Sequence, residues 1–216
     1  MSAELFEAIR AGDADRVAML VSERPGLAGA RGEDGVSAVL TARYRSQAAI
    51  LETLLGAEPE LDVFDAAATG RAQRVGALLA ADPRLVWAWS ADGFTALHLA
   101  AFFGHLAVAT SLAEAGADID PVSRNAMQVT PLHSASAGGH TTICELLIDR
   151  GADINAVQRD GFTPLHAAAQ NGDARLLDRL LADGADAGVR LDDGRTAADL
   201  AAAAGHEALA VRLRGD

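Results

Sequence analysis

The sequence predicts an all-α solenoid, a row of stacked helix–turn–helix units. Three observations predict it. First, one segment recurs: TALHLAAFFGH begins at Thr95, TPLHSASAGGH at Thr130, TPLHAAAQNGD at Thr163 and TAADLAAAAGH at Thr196, in steps of 35, 33 and 33 residues. A fixed period in this range marks a repeat architecture. Second, 49 of the 216 residues are Ala and 50% are hydrophobic, yet only 4% are aromatic. The core must therefore be built from small aliphatic side chains on closely packed helices. Third, every copy is punctuated alike, with Thr at its start and a glycine joint near its end.

The copy at Thr163 explains the unit. Asp160-Gly161 supplies a turn, with Gly allowing positive φ. Thr163 is a helix N-cap and Pro164 takes the first helical position, where no N–H is needed. Leu165, Ala168 and Ala169 form an apolar face at helical spacing. Gly172 ends this helix in a left-handed joint. A second helix carries Leu176, Leu177, Leu180 and Leu181, and Gly184 ends it. Such a unit cannot bury its apolar face alone, so units stack. Between the copies recur AEAGADID, IDRGADIN and LADGADAG. The pattern resembles the ankyrin repeat, with its period and its T-P-L-H-x-A signature, over about 130 residues from roughly Ala91 onward. The resemblance implies short β-turn fingers along one edge.

The N-terminal third is the same unit in weaker form. LFEAIRAGDADRV from Leu5 aligns with VFDAAATGRAQRV from Val63, and at the same offset Asp34-Gly35 aligns with Asp92-Gly93 and Ser37 with Thr95. Joints at Gly12, Ser46, Gly70, Gly104, Gly139, Gly172 and Gly205 give seven repeats in one domain, at roughly 1–31, 32–60, 61–90, 91–125, 126–158, 159–191 and 192–216. The step from Ser46 to Gly70 is only 24 residues. An abbreviated connection is expected around Glu58-Pro59-Glu60. The ends read as caps. Asp199 stands where inner repeats have His, Glu207, Arg212 and Arg214 face water, and Glu4, Glu7, Arg10, Asp13 and Asp15 solvate the first repeat. A complete solenoid is therefore expected.

Composition excludes several functions. The formal charge is −12, from 30 acidic and 18 basic residues, and every basic residue is Arg. Without Lys there is no Schiff-base chemistry and no phosphate-loop lysine. The acidic field argues against nucleic acid and anionic membrane as partners. One cysteine, Cys144, rules out an internal disulfide framework. The N-terminus lacks a signal-peptide pattern and no apolar run approaches a membrane span, so a cytoplasmic location is expected. The Ala-rich, all-Arg composition reads as a GC-rich bacterial coding bias.

No catalytic constellation is found. His98, His133 and His166 share the T-x-L-H slot, while His105, His140 and His206 follow a joint. The resemblance implies that the slot histidines hydrogen-bond within and between repeats. Equivalent positions lie about 10 Å apart, too far to converge on zinc. Cys144 sits on an inward helix face with no activating neighbour. Asp183, Asp186, Asp192 and Asp193 lack the spacing of a calcium loop. No cofactor, metal or enzymatic activity is expected.

What remains is binding. The resemblance implies a concave groove lined by fingers and first helices. The two residues before each joint should face it. Most are small or polar, as in Ala68-Thr69, Ala137-Gly138, Gln170-Asn171 and Ala203-Ala204. Phe102-Phe103 is the exception. Successive helical residues diverge by about 100°, so at least one Phe should be exposed. Trp87, Trp89 and Phe94 flank the Asp92-Gly93 turn, and Phe162 takes the place of Phe94 in the sixth repeat. The Asp120–Val129 finger is two residues longer than its neighbours. The candidate partner-binding residues are Tyr44, Arg45, Trp89, Phe94, Phe102, Phe103, Arg124, Met127 and Phe162. Aromatic and Arg side chains carry interface hot spots. Against this stands a packing role, in which one Phe and one Trp fill gaps beside the abbreviated third repeat. The expected function is a monomeric, non-catalytic protein-interaction module with another protein as partner. The alternative is an acidic inhibitor or immunity-type protein that blocks a basic enzyme by charge.

Overall fold

A computed structural model describes residues 2–215. Among them are fourteen α-helices in seven consecutive pairs. These are α1 (Ser2–Ala11) and α2 (Ala14–Glu23), α3 (Ala38–Tyr44) and α4 (Ala48–Gly56), α5 (Val63–Ala68) and α6 (Ala72–Ala81), and α7 (Ala96–Phe103) and α8 (Leu106–Glu114). There follow α9 (Pro131–Ala137) and α10 (Thr141–Asp149), α11 (Pro164–Asn171) and α12 (Ala174–Ala182), and α13 (Ala197–Ala203) and α14 (Glu207–Arg214). Odd-numbered helices stack on one another in an inner row from α1 to α13, and even-numbered helices form an outer row. No sheet forms among the described residues. Isolated antiparallel bridges, Arg31 to Ser37 and Arg190 to Thr196, close the second and seventh fingers. The fold is the all-α solenoid that the repeats predict.

The helix starts follow from the sequence. Thr95 and Thr130 cap α7 and α9 by accepting from the backbone N–H three residues on, and His98 and His133 accept in return from the threonine N–H. Asp199 does the same for α13, accepting from Thr196 N at 2.9 Å. The helix ends follow too. All seven joints lie in the left-handed region, six of them glycines with φ between 70° and 84°. The seventh is Ser46, at φ 54°, a conformation that disfavours a side chain. At Gly104 a second constraint applies, because a Cβ there would meet the His140 ring at 2.5 Å. His140 occupies that space to donate from Nε2 to Phe102 O at 3.0 Å. His105 repeats the arrangement over Gly70, donating to Ala68 O at 3.0 Å.

The third repeat is abbreviated, as expected. Residues 57–62 pass from α4 to α5 without a finger, and Glu58 turns the chain at φ 50°. This has consequences on both faces. On the finger side, the second and fourth fingers abut, so that a Cβ on Gly35 would lie 2.9 Å from the Ala91 Cβ. On the outer side, α4 and α6 scarcely meet, and a hollow of about 780 Å³ opens between them, walled by Leu55, Pro59, Leu61, Arg71 and Ala72. The core divides nearby, at α3, whose Ala38, Val39 and Ala42 join one buried cluster and whose Leu40 joins the other. One buried cluster joins α1 to α4 through Leu5, Ile9, Val17, Leu20, Ile50 and Leu54. The other runs from Leu40 and Val63 to Ala210.

The remaining fingers hold one another. Arg124 N donates to Gly93 O at 2.8 Å, and Asp192 N to Asp160 O at 3.0 Å. Asn125 adds a side-chain bond to Asp92 O at 2.9 Å. No helix among the described residues is long and apolar enough to cross a membrane.

Candidate functional site

An apolar hollow of about 360 Å³ lies between the fingers and the inner helices. Its walls come from α3 (Tyr44), the fourth finger and α7 (Asp92, Phe94, His98, Leu99, Phe102), and the fifth finger and α9 (Met127, Val129, His133, Ser134, Ala137), with Gln158 at the far end. Phe102 is 43% exposed and Met127 55% exposed. Both stand at the rim as uncovered apolar surface.

Tyr44 belongs to the second repeat, yet it walls a hollow in the fourth and fifth. Helix α5 lies between and carries only Ala68 and Thr69 at the matching places, so Tyr44 reaches across. Its ring lies 5.7 Å from that of Phe103, and its hydroxyl donates to Asp92 Oδ2 at 2.6 Å. Burial, followed by the Asp92 carboxylate, holds that hydroxyl well above the ordinary phenol range. Arg43 braces the same crossing. Its Nε donates to Ala68 O at 3.0 Å, and its guanidinium lies 4.3 Å over the Phe103 ring.

The slot histidines form the floor. His98 Nδ1 accepts from Thr95 N at 3.2 Å and lies 2.8 Å from Thr95 Oγ1, while Nε2 donates to Val129 O at 3.0 Å. His133 does likewise with Thr130 and with Phe162 O at 3.2 Å. These bonds fix the neutral tautomer that carries its proton on Nε2. Burial depresses both imidazoles to about 4. The third repeat has Asp65 in this slot. It accepts from the Ser37 hydroxyl, and burial pushes its carboxyl up to about 6. Among the described residues no group of three His, Cys, Asp or Glu is placed to hold a metal ion. Cys144 is fully buried, 3.5 Å from Ser136 Oγ, and burial pushes its thiol up to about 12. A buried thiol of this kind packs as a small hydrophobe.

Comparison with known proteins fits this geometry. Two family models, both for ankyrin repeats, match residues 63–158 (three copies) and 147–201 (many copies). The chain belongs to the ankyrin-repeat family. Its ankyrin repeats are also similar to part of a probable E3 ubiquitin-protein ligase, XBOS31, of Oryza sativa subsp. japonica, at 47% identity over 66 residues. That stretch is 30% of this chain and 15% of the rice protein, so the chain spans only a small part of this relative's length.

Against this ankyrin frame the predicted site residues separate. Tyr44, Phe94, Phe102 and Met127 converge on the hollow. Phe103 does not face it. The ring is half-buried, packed on the core and held edge-on by Phe102 at 5.0 Å, so it is a strut of the wall. Arg45 turns the other way, donating to Arg10 O at 3.3 Å. Trp89 lies outside the hollow under the Arg124 guanidinium, 4.3 Å away. Trp87, expected at the finger edge, is carried off by the 3-10 turn Pro83–Trp87 and donates from Nε1 to Gly116 O at 3.1 Å. Phe162 lines the next hollow along, of about 420 Å³. Ala137 is one of the groove-facing positions expected before the joints, whereas Leu99, Val129, Ser134 and Gln158 were not anticipated. They are ordinary small, aliphatic or amide residues, and only their convergence makes them a surface.

Proposed function

We propose that this chain is a non-catalytic interaction module that seats an apolar side chain of a protein partner in the hollow beside Phe102. Ankyrin-repeat proteins are in general binding modules without chemistry of their own. The observation that carries the reading is the apolar hollow itself, open at a rim of Phe102 and Met127 and walled by side chains of the inner helices and fingers. A preformed site of this kind limits the ordering cost of association. The charge of −12 supports a second reading, an inhibitor of a basic enzyme, because such a field accelerates encounter with a cationic surface. Affinity capture with wild type beside Phe102→Ser, at low and moderate salt, tests both. A prey lost with the variant at either salt supports the hollow. A prey indifferent to the variant but released by salt supports the inhibitor. Preys unaffected by both changes refute both readings.

A further inference from the structure

The apolar hollow does not stand alone. Gln158 forms its far wall and also the near wall of the 420 Å³ hollow built by the sixth and seventh fingers. The second hollow has a different character. Phe162, Leu191 and Leu200 supply apolar surface, and Asp160, Asp192 and Asp193 supply carboxylates. Two arginines of the chain share that wall. Arg195 engages Asp193 at 2.7 Å, while Arg159 stands 3.8 Å from Asp160. Asp192 is exposed, lines this hollow and takes part in the finger ladder through its backbone N–H. An apolar floor under a carboxylate rim suits a long cationic side chain, whose stem lies on the floor and whose head meets the acid. Arg suits it better than Lys, because a planar guanidinium can stack on Phe162 and meet a carboxylate through two N–H groups.

We infer that the two hollows form one docking track for a partner segment with a bulky apolar residue and an arginine, the apolar residue beside Phe102 and the arginine between Phe162 and Asp192. The inference rests on the reading proposed above and adds the second anchor. Neighbouring repeats are about 10 Å apart, and the hollows lie one to two repeats from one another. An extended chain advances about 3.3 Å per residue, so the two anchors are separated by roughly three to six residues. The acidic field of the whole chain favours the same partner chemistry.

Selection of displayed random peptides of about twelve residues, long enough for both anchors at ~3.3 Å per residue, on the immobilised full chain tests this. The expected consensus is Leu, Met or Phe with an Arg three to six positions away. For a selected peptide, Asp192→Asn weakens binding about fivefold, the size expected of a largely exposed charge pair. Replacing the peptide Arg by Ala costs more than this on wild type, because the stem and the stacking on Phe162 go with the charge, and about fivefold less on Asp192→Asn, where the Asp192 contact is already gone. Consensus sequences without a cation, or an Arg→Ala loss as large on Asp192→Asn as on wild type, overturn the second anchor. In that case a continued loss of binding with Phe102→Ser leaves the first anchor standing. If no sequence is enriched, or binding ignores Phe102→Ser, both fall.

Discussion

Replacing His98 by Ala converts the slot histidine into a measurable quantity. The imidazole makes three polar contacts, with Thr95 N, Thr95 Oγ1 and Val129 O. At about 1 kcal/mol each, their loss destabilises the chain by about 3 kcal/mol at pH 7. The gap should shrink in acid. Burial holds the folded imidazole at about 4, against about 6.5 unfolded. The unfolded chain therefore binds the proton first as pH falls. The stability that His98 confers is complete above about pH 6.5 and is lost progressively towards pH 4. At pH 5 the linkage integral removes about 2 kcal/mol, so the gap between wild type and His98→Ala falls from about 3 to about 1 kcal/mol. Asp65 works in the opposite direction. Its carboxyl, raised to about 6, favours the fold as pH falls through that value, but it is common to both proteins and cancels in their difference. Urea melts of the two proteins at pH 5, 6 and 7 make the measurement. A gap that stays constant across these pH values would refute the argument, since the folded imidazole would then titrate like an unfolded one.

Three further outcomes follow from the geometry. Ser46→Gly relieves a side chain held at φ 54° and should raise stability by about 0.5 kcal/mol, whereas Gly104→Ala, at φ 81° and with His140 2.5 Å from the new Cβ, should lower it by at least about 2 kcal/mol; calorimetry decides both. Phe103→Ala should cost about 2 kcal/mol, because its half-buried ring supports Tyr44, Arg43 and Phe102, while Phe102→Ala should cost under about 1 kcal/mol; equal losses in thermal melts would contradict the division between strut and rim. Amide exchange should be faster in α1–α4 than in α7–α12, with the change falling across α3–α5 where one buried cluster gives way to the other; uniform protection along the chain would show that the division carries no energetic weight.

The fold was legible because each local signal has a single physical reading. Thr and Asp before an apolar run cap helices, Gly ends them in a left-handed turn, and the period repeats the lesson. Ser46 illustrates how far this reaches, since alignment alone placed a serine at a left-handed joint. The site was legible only in part. That one of Phe102 and Phe103 must face outward follows from helical geometry. Which one does so depends on Tyr44, and the path of Tyr44 depends on Ala68 and Thr69, two helices along the chain. Trp87 was misplaced because Pro83 starts a 3-10 turn that no aromatic count reveals. Asp65 escaped notice because Asp62 stands where the motif has its opening Thr, whereas Asp199 follows Thr196 and was found by it.

The missing third finger has a consequence for how this surface is shaped. A full-length turn inserted at Glu58-Pro59-Glu60 would wedge between Gly35 and Ala91, draw α3 away from α7 and withdraw Tyr44 from Phe103 and Asp92. The hollow would lose one wall while every helix and every cap stayed in place. The hollow thus depends on a short connection, and changing the length of that connection would reshape it without altering a single residue that lines it.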